Sequence, residues 1–388
     1  MRGSRLNMGS ALPAENYLPL TLSRVGAGFV GAALTFSFWA SPDREASLPW
    51  FLVGLVGVLL VLLVTGPFLA VLRRRIDAGH LLWFFLAIGY TTLVVTFFTT
   101  RWPAYKLSWL NTVYAALPSI RSVPWWWTQA GLQPNQTGGM MAVCTAFAVA
   151  VTLARDVRGR YRWPALFLSL VGFVAVFMTG SRAALAGLVV SLLLVIMVRT
   201  SRWLWASVPA LALVVLGLLA SGTMSRIVDF FVRDETVDTK LVARLDIWTS
   251  ALHGIQDHFF SGIGLGVFNQ VMPFRYPYQT VGLSYPVSQA HNLLLDTALS
   301  IGVPGAIGFL VILIGVLGLS IHGSNQQGLG RVVCLAILAS VSVYLVFGIT
   351  DSISLTIPTS FIVWLWVCAL ALLCTSRDRD VAGNRKRG

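Results

Sequence analysis

PWFLVGLVGVLLVLLVTGPFLAVL, from Pro49 to Leu72, carries no charged side chain, and Arg73-Arg74-Arg75 follow it directly. About 20 apolar residues in helical form cross a hydrocarbon core ~30 Å thick. The run is long enough to do so, and the three arginines stop it at a water interface. Lipid offers the backbone no hydrogen-bond partner, so such a run must be a helix. Working outward, nine further segments have the same character, at roughly 18–40, 80–99, 138–154, 163–180, 183–198, 203–221, 291–319, 331–349 and 358–374. The segment 291–319 contains Gly302, Pro304 and Gly305, which predict a bend or an oblique entry there. Composition agrees: 56% of the 388 residues are hydrophobic and 11% are charged, against roughly 25% charged in an ordinary soluble domain. Mean hydropathy is +0.76. A soluble enzyme, a disordered chain and a fibre are excluded. The expected fold is an all-α polytopic membrane protein of about ten transmembrane helices.

The net charge of +13 follows from topology. With the N-terminus in the cytoplasm, eighteen of the 28 basic residues and five of the 15 acidic ones fall on the inner side. The whole excess lies on one face, as the positive-inside rule requires, so nucleic-acid binding is not needed to explain it. Both termini are then cytoplasmic. Two outer loops are long, at about 100–137 and 222–290, and hold most of the polar groups off the cytoplasmic face. Loops of that length are more often functional than idle. The expected organisation is 1–221 as N-terminal transmembrane helices, 222–290 as a large periplasmic loop, 291–374 as C-terminal transmembrane helices, and 375–388 as a basic cytoplasmic tail. Cys144, Cys334, Cys368 and Cys374 lie in or beside apolar runs, so no disulfide framework is implied. The first apolar run has no nearby small-residue cleavage site and reads as an anchor that stays.

Four stretches could carry chemistry. In Met178-Thr179-Gly180-Ser181-Arg182, the arginine sits at a tight outer turn between two spans. A cation there either snorkels to the interface or holds an anion, and guanidinium forks onto phosphate oxygens. In the second outer loop, Arg244-Leu245-Asp246-Ile247-Trp248 opens an amphipathic helix with Leu241, Leu245, Trp248 and Leu252 on one face. Arg244 either points to the membrane or pairs with Asp246 or Asp257. The stretch Ser261-Gly262-Ile263-Gly264-Leu265-Gly266 has the glycines of a dinucleotide fingerprint without its strand–helix context, so it reads as a tight turn with close backbone packing. Gln289-Ala290-His291-Asn292 opens the eighth span. A lone histidine is usually structural, but this one stands at a loop–membrane junction and is the side-chain type that exchanges protons near neutral pH. Asn292 and Asp296 are placed to orient it. In the first outer loop, Trp125-Trp126-Trp127 reads as an interfacial anchor or as the wall of a lipid-substrate entry. Pro134 and Asn135 break the chain before the fourth span, and Asn135 is a candidate helix cap.

In order, P-N-Q-T-G-G-M, S-R-A-A-L-A-G-L, R-L-D-I-W with S-G-I-G-L-G-V-F, and H-N-L-L-L-D-T-A-L-S-I-G-V-P-G resemble the O-antigen ligase/polymerase superfamily over about residues 130–310. The resemblance implies a GT-C-like membrane glycosyltransferase, metal-independent and without a cofactor. The implied donor is a polyprenyl-diphosphate-linked glycan. The implied acceptor is a hydroxyl, on a lipid A core sugar for a ligase or on a growing chain for a polymerase. Transfer would take place at the outer face of the inner membrane. By position, Arg182 and Arg244 match the family's essential arginines and His291 its essential histidine. Asn292, Asn135 and Trp248 join the two arginines as expected substrate contacts. The second loop is short for a ligase, a departure that bears on the acceptor.

The residue types fit such a reaction by themselves. Two guanidiniums on a departing diphosphate would stabilise its developing charge. His291 would take the acceptor's proton, and attack from the opposite face would invert the anomeric centre. A divalent ion would need acidic ligands, and Asp229, Asp234, Glu235 and Asp238 show no metal-binding pattern, with Arg233 and Lys240 there to balance them. A transporter or flippase is the alternative from another class. It would need ionisable groups near the membrane midplane, and Asp296 and Asp351 sit at outer ends instead. A non-catalytic scaffold is the third reading.

Overall fold

A computed structural model describes residues 18–103, 110–117, 132–155, 157–199, 236–279, 287–353 and 361–374. The span expected at 203–221, Trp125 to Trp127, the acidic patch of Asp229, Asp234 and Glu235, and the tail from 375 lie outside these residues. Among the described residues every regular element is a helix: α1 (Leu18–Ala40), α2 (Arg44–Thr65), α3 (Leu69–Arg75), α4 (Ala78–Thr99), α5 (Asn111–Ala116), α6 (Pro134–Leu153), α7 (Gly159–Met178), α8 (Arg182–Arg199), α9 (Thr236–Asp257), α10 (Phe268–Arg275), α11 (Leu293–Gly323), α12 (Gly328–Thr350) and α13 (Phe361–Cys374). Seven of them, α1, α2, α4, α6, α7, α11 and α12, are long and apolar enough to cross a membrane, and α8 and α13 are shorter apolar helices. The chain is an all-α polytopic membrane protein. Eight of the ten spans read from the sequence coincide with these helices to within a few residues; the run at 49–72 instead divides at 66–68 into α2, which ends at Thr65, and the short α3.

Apolar faces decide the packing. The helices at the centre, α6 and α12, are buried over most of their length, and Trp364 and Trp366 of α13 are fully enclosed. Where α1 runs along α11, Gly26, Gly308 and Gly315 let the two backbones approach, because a Cβ at each would meet the opposite helix. Small residues do this work in membranes, where helices gain little from apolar burial alone.

The bend expected in the eighth span is a break. Ile301 (φ −127°, ψ 17°) and Gly302 (φ 76°, ψ 166°) are non-helical, which divides α11 into two pieces. The Gly262–Gly266 stretch is the tight, closely packed turn anticipated. Its three glycines have positive φ. It seats α9 and α10 on the bundle: Ser47 Oγ donates to Leu265 O at 2.8 Å, and Gly266 lies against the Trp50 ring. Ile247, Ala251 and Ile255 of α9 join Ile263, Phe268 and Met272 with Ala298, Leu299 and Ala306 of α11 in a small second core. Helices α9 and α10 with their linking turn thus form a module on one end of the bundle. Alanine at Gly302 would have to adopt φ 76° with its methyl group on the Phe260 carbonyl. The backbone strain alone costs roughly 1–2 kcal/mol, so Gly302→Ala should lower the melting temperature in detergent. A value equal to the parent's would deny the break its structural role.

Candidate functional site

The segment leading into α11 forms the centre of the site. His291 has φ 51°, and among the described residues no other non-glycine residue has a positive φ. That conformation is costly for an L-residue, and its neighbours hold it. Ala290 N donates to Asp296 Oδ1 at 3.0 Å, while Ala290 O accepts from Trp248 Nε1 at 2.9 Å. Asn292 caps α11, its Oδ1 accepting from Leu294 N and Leu295 N at 3.1 Å, and its Nδ2 donates to Ile349 O at 3.0 Å. The residue before His291 and the residue after it are therefore both fixed. Asp296→Ala would leave Ala290 N–H buried without its acceptor, which costs ~1–3 kcal/mol. We expect Asp296→Ala to lower the melting temperature in detergent and Asp296→Asn, which keeps an acceptor oxygen, to retain most of the stability. Equal losses in the two variants would rule this support out.

Asp351 stands just past the end of α12 and is 1% exposed. Four groups converge on it. Its Oδ1 accepts from Gln289 Nε2 at 2.7 Å and from Ser352 N at 2.9 Å, and lies 3.3 Å from His291 Nδ1. Its Oδ2 accepts from Asn135 Nδ2 at 3.0 Å. Burial pushes the carboxyl up. The His291 hydrogen bond and charge, the Ser352 N–H and the Arg244 charge outweigh that push, so Asp351 is held below the ordinary carboxylate range. Its contribution to stability is complete above the ordinary carboxylate value and is lost as pH falls through the lowered one. An ionised carboxylate only accepts hydrogen bonds. Nδ1 of His291 therefore turns its hydrogen to Asp351, and whenever the ring is neutral Nε2 carries the lone pair.

A second ring of polar groups supports the first. Gln289 Oε1 accepts from Gln136 Nε2 at 3.1 Å, and Ser352 Oγ lies 3.0 Å from that same oxygen and 3.2 Å from Asp296 Oδ2. The starts of α6 and α11 and the end of α12 are thus laced together around two buried carboxylates.

Of the residues singled out in the sequence, His291 and Asn135 contact Asp351, and Arg244 acts on it through its charge. Asn135 does not cap α6: Gln133 holds that position, Pro134 is the first helical residue, and the Asn135 amide is turned to the carboxylate instead. Arg182 is the exposed first residue of α8, after the tight turn at Gly180 (φ 61°). A Cβ at Gly138 would meet Thr179 and Ser181, so the turn just before Arg182 packs on the N-terminal part of α6. Trp248 and Asn292 use their polar atoms on protein backbone. The amphipathic face of α9 needs correction: the packed side is Ile247, Ala251 and Ile255, while Leu245 and Leu252 remain about half exposed. Sequence reasoning passed over Asp351, Gln289 and Ser352 as site residues. A signal for Asp351 existed, because a lone acid ending an apolar span is costly without a partner.

Residues 165–310 match the family model described as O-Antigen ligase. Over that stretch the chain is similar to the O-antigen ligase-like superfamily. A curated relative, Teichuronic acid biosynthesis protein TuaE of Bacillus subtilis (strain 168), is 24% identical over 263 residues, or 63% of this chain and 52% of the relative. The chain thus spans about half the length of that relative. The family match begins in α7 and ends in α11, so it takes in Arg182, Arg244 and His291, while Asn135 and Asp351 lie outside it.

Proposed function

We propose that this chain is an O-antigen ligase-like membrane glycosyltransferase that moves a glycan from a polyprenyl-diphosphate carrier to a hydroxyl acceptor. The observation that carries the reading is the contact of His291 with the buried Asp351 carboxyl, set among donors from the start of α6, the segment leading into α11 and the residue after Asp351. His291 Nε2 takes the proton of the acceptor hydroxyl as its oxygen attacks the anomeric carbon. The bond to the diphosphate breaks, and the electron pair leaves on the diphosphate oxygen. Arg182 and Arg244 hold that group and stabilise its added charge. One displacement inverts the anomeric centre.

The bias of basic residues supports a site at the outer side of the inner membrane, with both chain ends cytoplasmic. In the first reading the acceptor is a sugar of the lipid A core. The relative named for teichuronic acid biosynthesis favours a second, in which the acceptor is the growing end of a glycan chain. Surface glycans of a deletion strain, separated on a gel, test both. Loss of long chains from lipid A with lipid-linked chains accumulating supports the ligase, and a single capped repeat supports the polymerase. Unchanged glycans would reject glycan transfer. A proteoliposome assay that finds the glycan moved across the bilayer with no new glycosidic bond would replace transfer with transport.

A further inference from the structure

The break in α11 frees backbone groups where that helix leaves the bundle, and the α9–α10 module fills them. Ile263 N donates to Leu299 O at 2.7 Å, and Val303 N donates to Phe259 O at 2.8 Å. A Cβ at Gly302 would meet the Phe260 carbonyl. The turn that follows α9 is therefore seated on the break, at the height of Gly302. Below it, Ile307, Leu310, Ile314 and Ile321 of α11 are exposed at a spacing that sets them along one side of the helix. On a helix that crosses a membrane, such a stripe faces lipid. Val303 and Ala306 lie at the top of the same side, and the module's core covers them. The module thus overhangs a lipid-facing stripe.

Two rings stand at that overhang. Phe259 and Phe260 pack edge to face with centroids 5.0 Å apart. They are 46% and 68% exposed, and Leu252, a turn or two back along α9, is 49% exposed. Nothing polar in the sequence marks this turn as a membrane element, because it belongs to a loop between spans. Its backbone is nevertheless bonded to a broken membrane helix, and lipid tolerates non-helical backbone only where protein satisfies it. The seating on the break meets that condition.

We propose that Phe259 and Phe260 form a membrane anchor: the two rings enter the bilayer leaflet at the His291 end of the bundle and hold the α9–α10 module against it. The occupant of this apolar face is lipid, since the face overhangs the exposed stripe of α11 that itself meets lipid. Arg244 and Trp248 ride on the anchored module, so the anchor sets their height relative to the leaflet.

Nitroxide labels test this. Phe259→Cys and Phe260→Cys are labelled in a chain whose four native cysteines are replaced by alanine, reconstituted in vesicles of phosphatidylcholine and phosphatidylglycerol. His253→Cys, on an exposed polar part of α9, is the control. Power saturation should show 259 and 260 more accessible to oxygen, which partitions into lipid, than to a water-soluble nickel chelate, with the order reversed at 253. Nickel accessibility at 259 and 260 would put the rings in water and overturn the proposal. Shielding from both reagents would mean that protein covers them, a second copy or another segment, and would overturn it equally. If the cysteine-free chain fails to insert, a benzophenone amino acid at position 260 of the native chain decides the same question. Crosslinks to lipid support the anchor, and crosslinks to protein alone, or none, reject it. None of these probes touches a residue proposed for catalysis, so the outcome is independent of the catalytic reading.

Discussion

Alanine at position 291 should reduce glycan transfer by about 10²–10⁴-fold, the usual contribution of a positioned general base, in a chain that still folds and inserts. The imidazole is 21% exposed and packs no core, and the φ of 51° stays as unfavourable for alanine as for histidine, so the backbone there still rests on its neighbours. The loss should therefore appear in turnover and not in yield. Asp351→Asn makes the test sharper. Asn can present an N–H to Nδ1, which turns the ring's hydrogen to Nε2 and removes the lone pair from the reacting side. If Asp351 acts through His291, transfer by Asp351→Asn should fall nearly as far as by His291→Ala, and the double variant should be no worse than the single ones, because residues that work as a unit are strongly non-additive. Multiplicative losses would separate the two residues and leave Asp351 as a structural carboxylate. Full activity in His291→Ala would end the proposed mechanism.

The parts of this molecule legible in the sequence are those with a local cause. Hydropathy over about 20 residues locates a span because the bilayer imposes that length, and eight helices fall where the runs lie. Gly302 and Pro304 forecast the interruption of α11 because each is locally hostile to a helix. The turn at Gly180 and the exposed arginine after it follow from Gly180-Ser181-Arg182 between two apolar runs. What could not be read is what depends on meeting across the fold. Asn135 and Asp351 are 216 residues apart, and nothing near either one names the other. Trp248 and Asn292 stand where a site was expected, yet their polar atoms serve the Ala290 carbonyl and the cap of α11. The helical period of α9 locates its apolar stripes but not their partners. Leu245 and Leu252 were read as one face with Trp248, and the protein core takes Ile247 and Ala251 instead, because a stripe that meets lipid and a stripe that meets protein look alike in sequence.

The arginines allow the second large effect. A diphosphate leaving with an extra charge needs donors that stay charged and reach two oxygens at once, which guanidinium does and ammonium does not. Arg182→Lys and Arg244→Lys should each cost on the order of 10²-fold in transfer, the scale set by removing one well-placed donor from a developing anion. The two should differ in a second readout. Arg244 also helps hold Asp351 low, and lysine keeps that charge, so Arg244→Lys should leave the Asp351 network intact while Arg244→Gln should disturb it. Arg182 stands at the start of α8, directly after Ser181, which packs on Gly138, and it is not among the donors that reach Asp351. Its replacement by Gln should therefore weaken donor binding and turnover without changing the effect of Asp351→Asn in a double variant. An undiminished rate with lysine at both positions would show that a pair of point charges is enough, and the bidentate clamp would have to be abandoned even if His291 remained essential.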